Sequence, residues 1–201
     1  MNNLKRGNIL WVLFTSLRES ERETAKLEKI NKFLRLFVKY NLNINSPSNP
    51  DAPDYFIPLG YAVLLNIPKL FETLLELRAN VNLPYTYHDR PVLIQLVMDI
   101  SKKYDLRSKQ DHDVETYVKN RITMLSDLIK FSGNLTGNLI VEVCDTSGNS
   151  AMNININGRQ VMWEKVHKWI LYDLKLPKYA AQFSKAMHRI DEKSHDYRCK
   201  E

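Results

Sequence analysis

The sequence predicts an all-α chain built as a row of helix–turn–helix units. Three observations carry this. Pro58 and Pro91 each open a short apolar run, Pro58-Leu59 and Pro91-Val92-Leu93, one repeat length apart. Leu70, Phe71, Leu74 and Leu75 are spaced to form one buried helical stripe. Two similar tails, Asn41-Leu42-Asn43-Ile44-Asn45 and Ala79-Asn80-Val81-Asn82, each close an apolar helical segment. A fixed internal period of this size is the mark of stacked repeats, each of which buries its apolar face only against its neighbours.

The clearest unit runs from Ile57 to Asn82. Pro58 suits the first turn of a helix, where a missing N–H costs nothing. Leu59 and Ala62 fall on one face of that helix, and the small Ala62 lets a neighbour approach. The stripe of Leu70, Phe71, Leu74 and Leu75 defines a second helix. Asn80 tolerates the conformations that follow a helix end, and Asn82 can hold the next turn through its side chain.

This segment resembles the ankyrin repeat, in which Thr-Pro-Leu-His-x-Ala opens the first helix, a Leu-Leu pair marks the second, and Gly-Ala-Asp-Val-Asn closes the unit. Ile57-Pro58-Leu59-Gly60-Tyr61-Ala62 takes the first pattern. The Leu74-Leu75 pair stands at the family's distance from Ile57, and Arg78 to Asn82 takes the third pattern. The interval from Pro58 to Pro91 is the ankyrin period. The resemblance implies an all-α ankyrin-repeat solenoid of about four repeats, at residues 8–45, 46–82, 83–136 and 137–174, with hairpin-like finger loops. In the first, Phe37-Val38 and the tail ending at Asn45 match a second helix and closing turn, with a first helix over Asn8 to Leu17 that turns Leu10 and Leu13 inward. The third opens at Arg90-Pro91-Val92-Leu93, but its Leu128-Ile129 pair arrives much later than the family spacing places it. The surplus, residues 99–121, is rich in mixed charge and reads as a solvated loop or a lengthened helix pair. The fourth opens at Asp145-Thr146-Ser147-Gly148-Asn149-Ser150-Ala151-Met152, followed by an amphipathic helix over Gln160 to Leu174.

Residues 1–174 are therefore expected to form the repeat domain, and 175–201 a C-terminal capping helix with a polar tail. Val166 to Ile190 is also similar to part of a sterile-alpha-motif domain; a helix capping the last repeat is the reading adopted. Three departures from the family pattern alter the loops: Arg78 in place of Gly, Gly60 in place of His, and Tyr85 and His88 in place of the turn's Asp and Gly.

Composition limits what such a chain does. With 29 Lys and Arg against 23 Asp and Glu, the net charge is +6, which favours acidic partners at long range. No Arg/Lys stripe with interleaved aromatics and no nucleic-acid motif accompanies it, so nucleic acid is not the expected partner. The apolar run Ile9 to Phe14 is far shorter than the roughly 20 residues of a membrane span, and no cleavage pattern of small residues follows it. Cys144 and Cys199 lack CxxC spacing, as suits a reducing compartment. None of the five histidines belongs to an HExxH or comparable ligand pair, and no nucleophile elbow, phosphate loop or dinucleotide fingerprint is present. No catalytic residue, metal or cofactor is expected.

The resemblance implies a protein-binding scaffold rather than an enzyme. Carried over position by position, its contact residues are Pro53, Asp54, Phe56, Leu64 and Leu65 in the second repeat. The third supplies Thr86, Tyr87, Asp89, Val97 and Met98, and the fourth Thr146, Ser147 and Asn149. Leu64 and Leu65 occupy positions that the family varies and keeps near solvent, so two leucines there imply an apolar contact for a partner protein. Irregular, stand-alone ankyrin chains rich in Asn and Lys are common in intracellular bacteria and large DNA viruses, which implies a cytoplasmic protein or a secreted effector acting on host proteins. Two alternatives to this reading are an enzyme whose site is built from 99–121 and the tail, and a basic nucleic-acid binder.

Overall fold

The computed structural model describes residues 13, 24–46, 57–83, 90–106, 113–134 and 149–193. These hold seven α-helices, one π-helical turn and one short β-hairpin. The helices are α1 (Thr24–Lys39), α2 (Pro58–Leu64), α3 (Pro68–Glu76), α4 (Val92–Asp105), α5 (Val114–Asn134), α6 (Trp163–Lys168) and α7 (Pro177–Lys193). The hairpin, β1 (Ile154–Ile156) and β2 (Arg159–Val161), lies between α5 and α6, and the π-turn Trp169–Asp173 links α6 to α7. No described helix is long and apolar enough to cross a membrane.

Helices α2 and α3 form an antiparallel pair, and proline sets both starts. Pro58 and Pro68 each occupy the first turn, preceded by Ile57 and Ile67 in extended backbone, the conformation a following proline imposes. The expected stripe on α3 is the core of this pair: Leu70, Phe71, Leu74 and Leu75 are all at most 2% exposed. Leu59 and Ala62 close it from α2.

The ends of α1 and α3 are built alike. Asn41 and Arg78 both turn into left-handed backbone, at φ 64° and 65°. At each, two successive N–H groups fold back on the last helical turn: Asn41 to Val38 O and Leu42 to Phe37 O, then Arg78 to Leu75 O and Ala79 to Leu74 O. Arg78 thus adopts backbone that glycine takes without steric penalty, at a cost of about 1–2 kcal/mol. Beyond each turn an asparagine accepts a bond from the backbone two residues on. Asn43 Oδ1 accepts from Asn45 N at 2.9 Å, and Asn80 Oδ1 from Asn82 N at 3.0 Å. The two tails are joined, because Asn45 Oδ1 accepts the backbone N–H of Asn80 at 2.8 Å. An ion pair between Arg35 and Glu76 ties α1 to α3 as well.

Replacing Asn45 with Ala should cost about 1 kcal/mol, the net worth of one exposed hydrogen bond. It should also speed hydrogen exchange at the Asn80 amide while leaving α7 unchanged. Unchanged exchange at Asn80 would show that the link does not hold the tails together.

The late arrival of Leu128-Ile129 is taken up by helix length. α4 and α5 have 14 and 21 residues, against 7 and 9 in α2 and α3. Of the two alternatives for residues 99–121, the lengthened pair forms; residues 107–112 lie outside the described set. α4 is nearly all core, buried from Val92 to Ser101, because α2, α5, α6 and β1 all pack around it.

The fourth unit departs from expectation. No helix starts at Ala151, and Gln160 and Val161 are strand rather than helix. Ile154 pairs with Val161 and Ile156 with Arg159 across an Asn157-Gly158 turn. Both turn residues have positive φ, 52° and 75°, the backbone of a type I′ hairpin turn. Ile154 and Ile156 are buried and Asn155 between them is exposed. That period of two defeats a helix, which would scatter the two isoleucines around its circumference.

The C-terminal segment is an integral helix up to Lys193. Ala180, Phe183, Ala186, Met187 and Ile190 form its buried stripe, and it packs on α5, α6 and the π-turn.

Candidate partner-binding surface

Leu64 ends α2 and is 47% exposed; Leu65, the next residue, is half-buried against the core. The backbone then reverses at Asn66, φ 57°, where Asn66 N–H donates to Val63 O and Ile67 N–H to Ala62 O. A seven-residue helix leaves most of its carbonyls without helical partners. Here α5 supplies two further donors. The Arg121 guanidinium donates to Val63 O, and Asn120 Nδ2 donates to Asn66 O at 3.2 Å. A cation at a helix C-terminus also meets the negative end of its dipole. The exposed Leu64 therefore stands on a helix end fixed from behind.

The groups that fix it form a buried polar network. Arg121 is 4% exposed and Asp99 9%. Arg121 Nε lies 3.1 Å from Asp99 Oδ2, an ion-pair contact without hydrogen-bond alignment. Gln95 Nε2 donates to Asp99 Oδ1 at 2.6 Å, and Arg90 donates to Gln95 Oε1 at 3.2 Å. Arg121 also donates to the Tyr117 hydroxyl at 3.0 Å, with its guanidinium carbon 4.7 Å from the centre of that ring. Burial pushes the Asp99 carboxyl above its ordinary range, and the opposing pull of Arg121 and Gln95 does not fully offset it. The Tyr117 hydroxyl is raised as well, by burial and then by the charge of Asp99.

The carried-over contact residues divide into three groups. Pro53, Asp54, Phe56, Thr86, Tyr87, Asp89, Thr146 and Ser147 lie outside the described residues. Leu64 is exposed and Leu65 partly so. Val97, Met98 and Asn149 are corrected: they are 1%, 3% and 3% exposed and present no surface. Val97 and Met98 stand one repeat period after Leu64 and Leu65, yet α4 runs on well past them and is covered by the hairpin and α6. Asn149 anchors the hairpin instead, its Oδ1 accepting the Asn155 N–H at 2.7 Å.

Asp99 and Arg121 are a further correction, since both belong to a charged stretch expected to be solvated. Gln95 and Asp99, spaced i, i+4 inside the apolar run Val92 to Ile100, were the available signal. Polar residues on a face otherwise committed to the core need partners there. Among the described residues, no group of three His, Cys, Asp or Glu is placed to hold a metal ion. No family model, curated protein or solved structure matches this chain.

Proposed function

We propose that this chain is an ankyrin-type scaffold that binds a partner protein through the exposed end of α2, together with the contact residues that the ankyrin resemblance assigns to its finger loops. The observation that carries the reading is the joined pair of closing turns. Positions 41, 43 and 45 are matched at 78, 80 and 82, with the same left-handed turn and the same asparagine hydrogen bond, and Asn45 links one turn to the next. A bond from one closing turn to the backbone of the next is a nearest-neighbour contact of the kind on which stacked repeats depend. An exposed leucine on a helix end held by hydrogen bonds from α5 offers a preorganised apolar contact, which lowers the ordering cost of binding. The partner surface is accordingly apolar at its centre, and acidic groups around it are favoured by the net charge of +6. The setting that suits this role is the cytoplasm, of the cell that makes the protein or of a host that receives it.

Affinity capture from lysate followed by mass spectrometry tests this, with wild type beside a Leu64→Glu, Tyr87→Ala variant matched by circular dichroism. Leu65 is left intact because it packs on the core. A partner held by wild type and weakened at least about tenfold in the variant is the expected result, since loss of an interface anchor typically costs about 2 kcal/mol or more. Equal retention by both proteins would rule out this surface.

A further inference from the structure

We propose that the cleft between α5 and α7 binds a phosphate-bearing ligand. It is a cavity of about 280 Å³ between two helices that otherwise meet along apolar residues. Its floor is apolar, formed by Ile129 and Ala186, both buried. Its remaining walls are Ser126 and Gln182, and three cations, Lys130, Lys185 and Arg189, complete the lining. Among the described residues, no acidic side chain lines it.

Two independent features of this cleft call for an anion. The first is uncompensated charge. Lys185 and Arg189 are one helical turn apart on α7, where like charges repel, and Lys130 faces the same space from α5. None of the three has an ion-pair partner among the described residues. Asp127 is within Coulombic reach of Lys130 but does not line the cleft. A chain already at +6 gains nothing for its stability by gathering three of its cations on one cavity. The second feature is an orphaned donor. Ser126 Oγ is buried without a hydrogen-bond partner, a state that native proteins seldom leave unanswered.

The chemistry of the lining selects the ligand class. A phosphate monoester carries close to two negative charges and three acceptor oxygens, which suits three cations and a serine hydroxyl better than a carboxylate does. The cavity holds several waters' worth of space, at roughly 30 Å³ each, and lies just below the usual range of small-molecule pockets. A compact ligand fits, with its phosphate among the cations and a short apolar body on Ile129 and Ala186. Such a phosphate reaches the cleft on a free metabolite or on a phospholipid headgroup.

The test uses the full chain with two probes, inorganic pyrophosphate by calorimetry and phosphatidylcholine vesicles containing phosphatidic acid by flotation. Saturable one-to-one binding of pyrophosphate is expected, weakened at least about tenfold by Lys185→Glu with Arg189→Glu, two exposed substitutions that leave the fold intact. Ser126→Ala should weaken binding about fivefold or more while leaving stability equal to or above wild type, because it deletes an orphaned hydroxyl. A purely structural serine would show the reverse. Vesicle binding without pyrophosphate binding, lost in the double variant, would assign the phosphate to a lipid headgroup. Failure with both probes overturns the proposal. So does equal weakening by Lys29→Glu with Lys32→Glu, a control on the exposed face of α1.

Discussion

Arg121→Met should destabilise the protein by about 3–5 kcal/mol, the usual cost of breaking a buried ion pair from one side. The loss has three sources, all at one guanidinium: the ion pair with Asp99, the hydrogen bond to the Tyr117 hydroxyl, and the donor to Val63 O at the end of α2. The first dominates, because Asp99 would be left as a buried carboxylate with only the neutral Gln95 and Tyr117 side chains to hydrogen-bond it. Combining Arg121→Met with Asp99→Asn should cost much less than the sum of the two single changes, since the pair would then leave the core together. Additive costs would show that the two groups are not coupled.

The defect should also depend on pH, with a definite sign. The Asp99 carboxyl is already raised by burial, and removal of the Arg121 cation raises it further. An acid whose folded value stands above its unfolded value near 4 is fully accommodated below that unfolded value, where both states hold the proton. Its contribution is then lost as pH rises through the folded value. Arg121→Met should therefore be closer to wild type at pH 4 than at pH 7. Urea midpoints at the two values measure the difference, and a defect that grows on acidification would exclude Asp99 as its cause.

The second large loss is expected from Phe183→Ala, at about 3–5 kcal/mol, by opening a cavity where α7 meets the core. Phe183 is fully buried on a stripe that also includes Ala180, Ala186, Met187 and Ile190. In a domain of this size the melting temperature should fall by roughly 6–20 °C. The more informative reading is cooperativity. If α7 belongs to the same folding unit as α5, the whole domain should melt in one shifted transition. An early transition confined to α7, with the signals of α2 and α3 unmoved, would identify a separate C-terminal module. The two substitutions lie on different helices and share no described partner, so their costs should add.

The parts legible in the sequence are those whose physics is local. Pro58 and Pro68 mark helix starts because the missing N–H and the restraint on the preceding residue act within a few bonds. The Leu70 to Leu75 stripe names its own buried face, since helical spacing alone puts those residues on one side. The tail asparagines bond within their own turns, two residues away. The hairpin is equally local. Ile154, Ile156 and Asn157-Gly158 carry its period and its turn, but the preceding Asp145 to Ala151 match points towards a helix.

Which of the candidate contact positions meet solvent was not legible in the sequence, and Val97 and Met98 show why. They follow Leu64 and Leu65 by the same interval that separates Pro91 from Pro58, and their side chains are of the same apolar kind. What separates core from surface is that α4 runs on and is covered by β1 and α6, elements much further along the chain. Asp99 and Arg121 make the same point from the polar side. Each reads as a solvated charge by itself, and each is tolerated in the interior only because the other, with Tyr117, Gln95 and the end of α2, arrives from a different element. The sequence by itself determined the helix start at Pro58, the buried stripe from Leu70 to Leu75 and the pattern of the closing turn, because those depend on neighbours within a few residues. Only the tertiary structure decided which equivalent positions meet solvent, which charges are paired in the core and where an uncompensated cluster of cations gathers, because burial and electrostatic pairing are set by whatever distant segment packs alongside.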